Sequence, residues 1–223
     1  MVQNLSHAVM SQRTEPSDSL DDFPTPPWAT RALLAHVVPK SDLARDMTCL
    51  EPACGVGHMS KVLKEYFKEV HSSDVHDYGY GVTHNYLRSE SSPCYDWVIT
   101  NPPFRLAEQF FWRSLTIARV GIALLTRTVF IESVGRYERI FSYKPPTTVA
   151  QFVERVPMVK GRLDRTATTA TSYSWMLWDL RAPGPAGTRL VWIPPCRKQL
   201  EMPYDYPEGM TCVDKTMHQG QGS

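Results

Sequence analysis

Apolar positions along this chain alternate between short β-branched runs and stretches with helical spacing, the pattern of an α/β protein. A helix is predicted from Pro26 to about Val38, with Trp28, Leu33, Leu34 and Val37 inward and Thr25-Pro26 as N-cap and first-turn pair. Met47 to Leu50 predicts a strand, residues 58 to 68 an amphipathic helix through Met59, Val62, Leu63, Tyr66 and Phe67, and Val70 to Val75 a second strand. Tyr95 to Thr100 has the β-branched and aromatic make-up of a buried strand. Residues 105 to 118 carry a helical period with Leu106, Phe110, Leu115 and Ile117 inward, and Gly121 to Phe130 is a continuous apolar run suited to a central parallel strand. A short helix over 133–141, an alternating stretch from Thr148 to Val156, and strands at Tyr173–Leu180 and Leu190–Ile193 with Pro183-Gly184-Pro185 between them complete the pattern. Residues 1–20 are polar and aperiodic, and the stretch from Met202 onward is similar. The expectation is one domain over 21–200 between a flexible lead and a loosely ordered tail at 201–223.

The most informative break in this pattern follows Thr100. Asn101-Pro102-Pro103-Phe104 must end the strand, because two prolines forbid further pairing or an immediate helix. A residue before proline is pushed out of the α region, so Asn101 is held extended at a strand's carboxyl end, where open α/β sheets bind ligands. Its side-chain carbonyl and the backbone carbonyl of Pro102 make two acceptors side by side, suited to a planar NH2 group. Phe104 adds a flat face on which an aromatic base can stack. In isolation, Asn-Pro-Pro can also be only a turn.

Upstream, the predicted first strand runs into Glu51-Pro52-Ala53-Cys54-Gly55-Val56-Gly57-His58. Gly55 and Gly57 permit unusual dihedrals and close backbone approach, and N–H groups at the start of a helix can receive an anion. Asp74 ends the next strand, 19 residues beyond Gly55. In nucleotide-binding α/β folds an acid at about this distance holds ribose hydroxyls, with Val75 or His76 then flanking the base. The absence of a third glycine, together with the acid at Glu51, argues against a nicotinamide dinucleotide site.

Composition adds bounds. The 223 residues have a net charge of +1, so any phosphate contact must come from a local basic patch. Between Arg127 and Arg165 there are eight basic against four acidic residues, and Arg127, Lys160, Arg162 and Arg165 are the candidate phosphate contacts; a solvated loop accounts equally well for any one of them. Five cysteines, with no Cys-x-x-Cys and no zinc-type Cys/His spacing, imply reduced thiols in a cytoplasmic protein and no metal site. No apolar run approaches the ~20 residues that cross a bilayer.

Taken together, Asn101-Pro102-Pro103-Phe104 and Glu51-Pro52-Ala53-Cys54-Gly55-Val56-Gly57 resemble the catalytic and first cofactor motifs of S-adenosylmethionine-dependent amino-methyltransferases, of the adenine-specific nucleic-acid type in a small phage- or prophage-like form. The resemblance covers Phe23 to Pro195. It implies a Rossmann-like class I methyltransferase fold: a mostly parallel seven-stranded sheet, helices on both faces, and an antiparallel C-terminal hairpin supplied by Tyr173–Leu180 and Leu190–Ile193. It further implies that Phe23, Thr25 and Pro26 close over the methionine part of the cofactor. Glu51 with Pro52, Ala53, Gly55 and Gly57 would hold its amino-acid end, Asp74 and Val75 the ribose and adenine, and Asn85-Tyr86 the place of an acid-aromatic pair at the adenine. Asparagine stands there instead of the usual acid. DNA ranks ahead of RNA as substrate, and the chain's length leaves target recognition to a partner chain or self-association.

On this view Asn101 and Pro102 accept from an adenine amine while Phe104 stacks on the base, which must be flipped out or unpaired. The competing readings are an RNA adenine or a DNA cytosine amino-methyltransferase, a protein-glutamine methyltransferase, or a non-catalytic binding subunit. Methylation of a cytosine ring carbon is disfavoured, because Pro93-Cys94 lies at the wrong end of its strand.

Overall fold

The strand Tyr95–Thr100 forms over the residues its composition predicts, and the sheet is built around it. The computed structural model describes residues 21–40, 46–88, 93–183 and 187–206; the expected lead at 1–20, the turn at 184–186 and the tail beyond 206 lie outside them. The described strands are β1 (Thr48–Glu51), β2 (Glu69–Asp74), β3 (Val82–Thr83), β4 (Tyr95–Thr100), β5 (Ala118–Arg127), β6 (Thr148–Phe152), β7 (Tyr173–Asp179) and β8 (Arg189–Ile193). Among the described residues they form one eight-stranded sheet in the order β3-β2-β1-β4-β5-β7-β6-β8. β7 runs antiparallel to both its neighbours, and every other pairing is parallel.

The expected antiparallel pair forms, but between β6 and β7: β6 lies between the last two strands, antiparallel to β7 and parallel to β8. The reason is burial. β7 is covered from Tyr173 through Trp178 and needs a strand on each side, whereas Leu190 and Trp192 leave β8 amphipathic and suited to an edge.

Alternation along the strands gives the sheet two apolar faces. Trp97, Ile99, Trp175 and Leu177 meet α1 (Pro27–His36) and α2 (His58–Leu63), and the Trp175 indole donates to the Ala29 carbonyl at 3.1 Å. On the other face, Ile122, Leu124, Met176 and Trp178 meet α3 (Ala107–Leu115) and Phe130 and Ile140 from the segment after β5. Gly121 is required where Trp97 crosses the sheet, since a Cβ there would come within 2.4 Å of the indole.

Several boundaries differ from expectation. α1 begins at Pro27 rather than Pro26, and Thr25 is no cap. The second helix stops at Leu63 and continues as turns. Phe104–Leu106 is a 3₁₀ turn that leaves Leu106 exposed, and the run expected as a strand to Phe130 ends at Arg127. The C-terminal stretch joins the fold further than its composition implies: a short helix α4 (Arg197–Leu200) and a 3₁₀ turn Pro203–Asp205 pack back, with the Asp205 carboxylate buried on Arg31. No helix of the described residues is long and apolar enough to cross a membrane.

Candidate active site

Because β1, β2, β4 and β5 are parallel, Glu51, Asp74, Thr100 and Arg127 all arrive at one edge of the sheet. A cavity of 880 Å³ opens there, within the range of small-molecule sites. Its walls combine Phe23 and Thr25, the loop from Glu51 to Val56, Asp74 and Val75, Asn85 and Tyr86, Asn101, Pro103 and Phe104, and Arg127. Segments separated by up to a hundred residues thus meet at one site.

The orientation of Asn101 is fixed by what its amide donates. Nδ2 donates to the Phe23 carbonyl at 2.8 Å and lies 4.0 Å from the Met158 sulfur. That leaves Oδ1, a buried acceptor in a cavity-lining residue with no hydrogen-bond partner among the described residues. The Thr25 hydroxyl, also on the cavity wall, is likewise buried without a partner. Buried polar atoms are almost always paired, and these two stand without a partner on one cavity wall. Pro102 is buried and stands outside the lining.

Both loop glycines adopt the left-handed region, Gly55 at φ 50° and Gly57 at φ 82°, and a Cβ on Gly57 would meet the Tyr80 ring at 2.4 Å. The loop N–H groups are used internally: Gly55 donates to Asp74 at 2.9 Å, Gly57 to the Cys54 carbonyl, and Cys54 to the Ser73 carbonyl. An anion is therefore not received at these three positions. Asp74 also accepts from the His76 N–H at 3.1 Å, which sets its carboxylate on the cavity wall. Glu51, 2% exposed, accepts from the Ser60 hydroxyl.

Phe104 is flanked by Phe23 at 5.6 Å and Tyr173 at 5.9 Å, and the Arg127 guanidinium lies over its ring at 4.5 Å. The backbone N–H of Phe104 donates to Asp21 at 2.6 Å. Of the four basic residues picked from the sequence, only Arg127 lines the cavity. Arg162 pairs with Asp164 at 3.2 Å and Arg165 with Glu201 at 2.7 Å, and Lys160 is not in the lining. The loop that carries them does touch the site's edge, through the Gly161 N–H bonded to the Asp22 carbonyl at 2.9 Å. Pro26 and Gly57 also stand outside the lining, while Asn85 lines it with its Oδ1 engaged by the Leu87 N–H at 3.2 Å. Tyr86 is buried, its hydroxyl 2.9 Å from that of Ser114.

Sequence reasoning missed Asp21, Asp22, His58 and Tyr78 on the cavity wall. The two aspartates sit at the end of a polar stretch with no periodic signal to mark them. With Glu51 and Asp74 they bring the carboxyl groups of the lining to four, beside Arg88, Arg105 and Arg127. Burial, and then the charge of Asp74, raise the Asp22 carboxyl, and the Tyr78 phenol is pushed up to about 12 by burial and by Asp22 and Asp74. Burial and then Lys61 bring His58 down to about 4, so it is neutral at physiological pH.

Burial holds the Glu51 carboxyl well above its ordinary 4.5; the Ser60 hydroxyl opposes this and Asp74 adds to it. A carboxyl whose folded pKa is raised stabilises the fold below the unfolded value, and that contribution is lost as pH rises through the folded value. The melting temperature is therefore expected to fall as pH rises from the ordinary carboxylate range through the raised value, and Glu51→Gln to flatten the fall. Thermal melts of both proteins from about pH 5 to about pH 9 check this; equal slopes would contradict it.

This sheet, with a cavity at its carboxyl edge, has the Rossmann-like fold seen in class I methyltransferase structures. No protein-family model and no curated protein matches the sequence. Among solved structures, a provisionally assigned RNA methyltransferase from Pyrococcus horikoshii is similar at a TM-score of 0.57 with 16% identity, over 74% of this chain and 90% of that one. The modification subunit of a provisionally assigned type I restriction enzyme from Vibrio vulnificus YJ016 gives 0.54 and 15%, over 73% and 45%. A provisionally assigned class I S-adenosylmethionine-dependent methyltransferase from Listeria monocytogenes gives 0.53 and 14%, over 78% and 67%. The chain thus spans less than half the length of the type I subunit it resembles.

Proposed function

We propose that this protein transfers a methyl group from S-adenosylmethionine to the exocyclic amine of adenine in DNA. The observation that carries this is Asn101: its NH2 is spent on the Phe23 carbonyl, so the unpartnered Oδ1 is the group offered to a ligand. An acceptor fixed in that way selects a donor such as a base amine.

The residues of the cavity fit the methyl donor. Its sulfonium and ammonium suit the acidic set Asp21, Asp22, Glu51 and Asp74, with Asp74 at the ribose hydroxyls, Glu51 at the ammonium and Val75 beside the adenine. The orphaned Thr25 hydroxyl supplies one more polar contact, and Phe23, Pro52, Ala53 and Tyr86 the apolar wall. When bound, the donor supplies a methyl group already activated by its sulfonium.

The chain's own task is then orientation and tuning of the nucleophile. An adenine amine is a poor nucleophile because its lone pair is delocalised into the ring. A hydrogen bond to Asn101 Oδ1 favours the tetrahedral nitrogen and strengthens as positive charge develops there. The Pro102 carbonyl is the second acceptor for the same amine. Phe104 holds the base by stacking, and Arg127, over its ring on the cavity wall, meets the adjoining phosphate. Target choice is assigned to loops at the cavity or to a partner chain or second copy.

Incubation with tritiated methyl donor and either DNA or RNA, followed by nucleoside analysis, tests this. Label is expected in N6-methyladenine from DNA. Label confined to RNA or to cytosine would reassign the substrate, and no label with no donor binding would leave a non-catalytic module.

A further inference from the structure

We propose that Asp22 distinguishes the charged methyl donor from the uncharged product left after transfer, so that spent product does not hold the site against fresh donor. The inference rests on the reading of the cavity as a donor site given above, and assigns one of its four carboxyl groups to the sulfonium charge.

Three fastenings fix the position of Asp22. The segment before α1 has no regular structure, and its shape comes from contacts with other parts of the chain. The Asp21 carboxylate accepts from the Phe104 N–H at 2.6 Å, the Asp22 carbonyl from the Gly161 N–H at 2.9 Å, and the Phe23 carbonyl from Asn101 Nδ2 at 2.8 Å. On the opposite side, Asp22 Oδ1 lies 4.0 Å from the point that a Cβ would occupy on Gly55. Asp22 therefore lines the cavity between the glycine loop and the Asn101–Phe104 motif. A methyl group that passes from donor to base crosses that same interval.

The other three carboxyl groups are already committed. Glu51 accepts from the Ser60 hydroxyl, Asp74 from the Gly55 and His76 N–H groups, and Asp21 from Phe104. Among the described residues, no hydrogen-bond donor reaches the half-buried Asp22 carboxylate. Burial and then the Asp74 charge raise its carboxyl, and no cation of the cavity offsets them. A carboxylate placed in this way is satisfied by a positive ligand. A sulfonium carries no N–H or O–H, so it is recognised by charge and not by hydrogen-bond geometry, whereas an ammonium needs an acceptor such as Glu51.

The charge is what the reaction removes. In the transfer the methyl carbon bonds to the base nitrogen, the electron pair of the broken bond stays on sulfur, and the amine proton passes to water. Ribose, adenine and amino-acid end are the same before and after, so Asp74 and Glu51 hold donor and product alike. The attraction of Asp22 is present only before the step.

Calorimetric titration of S-adenosylmethionine and of S-adenosylhomocysteine into wild type, Asp22→Asn and Asp21→Asn tests this. The wild type is expected to bind the donor roughly tenfold more tightly than the product. Asp22→Asn keeps the shape and removes the charge. It is expected to weaken the donor about tenfold and leave the product within about twofold, with an unchanged thermal melt. Asp21→Asn, whose carboxylate serves the Phe104 N–H, is expected to change both ligands by the same factor. Equal weakening of both ligands by Asp22→Asn, no weakening of either, or a wild type that binds product at least as tightly as donor overturns the proposal and leaves the donor site standing. Selective loss of the donor in Asp21→Asn also overturns it. Absence of binding of either ligand to the wild type removes this proposal and the donor site together.

Discussion

Asn101→Ala is expected to lower methyl transfer by about 10²- to 10³-fold while leaving methyl-donor affinity within about twofold, because the lost contact acts on the developing charge and not on the donor. The alanine removes the cavity's orphaned acceptor and releases the Phe23 carbonyl and Met158, which hold the amide in place. Asn101→Asp is a sharper comparison. It keeps an acceptor oxygen but replaces the Nδ2 donor with a second oxygen facing the Phe23 carbonyl, so the side chain is pushed from its position. Its rate should fall between wild type and alanine. Label incorporation under single-turnover conditions, with donor binding measured in parallel, checks both. Alanine activity within about tenfold of wild type would remove Asn101 from the reaction.

The second large effect concerns stability and lies away from the cavity. Arg31 is 2% exposed and holds three segments together: Nε and Nη2 donate to Glu65 at 2.9 and 2.6 Å, Nη1 and Nη2 to Asp205 at 2.8 and 2.9 Å, and Nη1 to the Leu200 carbonyl at 2.9 Å. Glu65 is partly exposed and its share is screened, but Asp205 is as buried as the arginine. Among the described residues, Arg31→Ala leaves that carboxylate with only the Met202 N–H at 2.8 Å. Stranding a buried charge in this way costs about 3–5 kcal/mol, a large part of the ~5–15 kcal/mol that holds a typical domain. Urea denaturation should show the loss. Arg31→Met combined with Asp205→Leu should recover much of it, since an apolar pair strands no charge. A loss under about 1 kcal/mol for Arg31→Ala would mean that the C-terminal segment is not fastened as the contacts indicate.

What could be read in the sequence was the part encoded locally. Tyr95–Thr100 forms as its composition predicts because Pro102 and Pro103 dictate its end, and the same prolines place Asn101 at the sheet edge. Glu51, Gly55 and Asp74 were legible because a strand, a loop and an acid at a fixed interval form a local pattern. Strand pairing is not local. Nothing in Tyr173–Asp179 or Arg189–Ile193 announces that Thr148–Phe152, more than twenty residues earlier than the first of them, will come between them. Thr25 shows how a local rule misleads: a Thr-Pro pair has the chemistry of a helix cap, yet the hydroxyl stays unpaired on the cavity wall. Arg31 carries no local signal, because its partners lie 34 and 174 positions away. The loop is basic by count, but Asp164 partners Arg162 and Glu201 partners Arg165, and no count of charges foresees that.

The most direct test of the central claim, that the acid-lined cavity holds the methyl donor with Asp74 at its ribose, is a calorimetric titration of S-adenosylmethionine into wild type, Asp74→Ala and Asn101→Ala. One site is expected in the wild type, weaker binding by about 10- to 100-fold without the Asp74 carboxylate, and little change without the Asn101 amide. Absence of binding in the wild type, or full affinity after loss of Asp74, would contradict it.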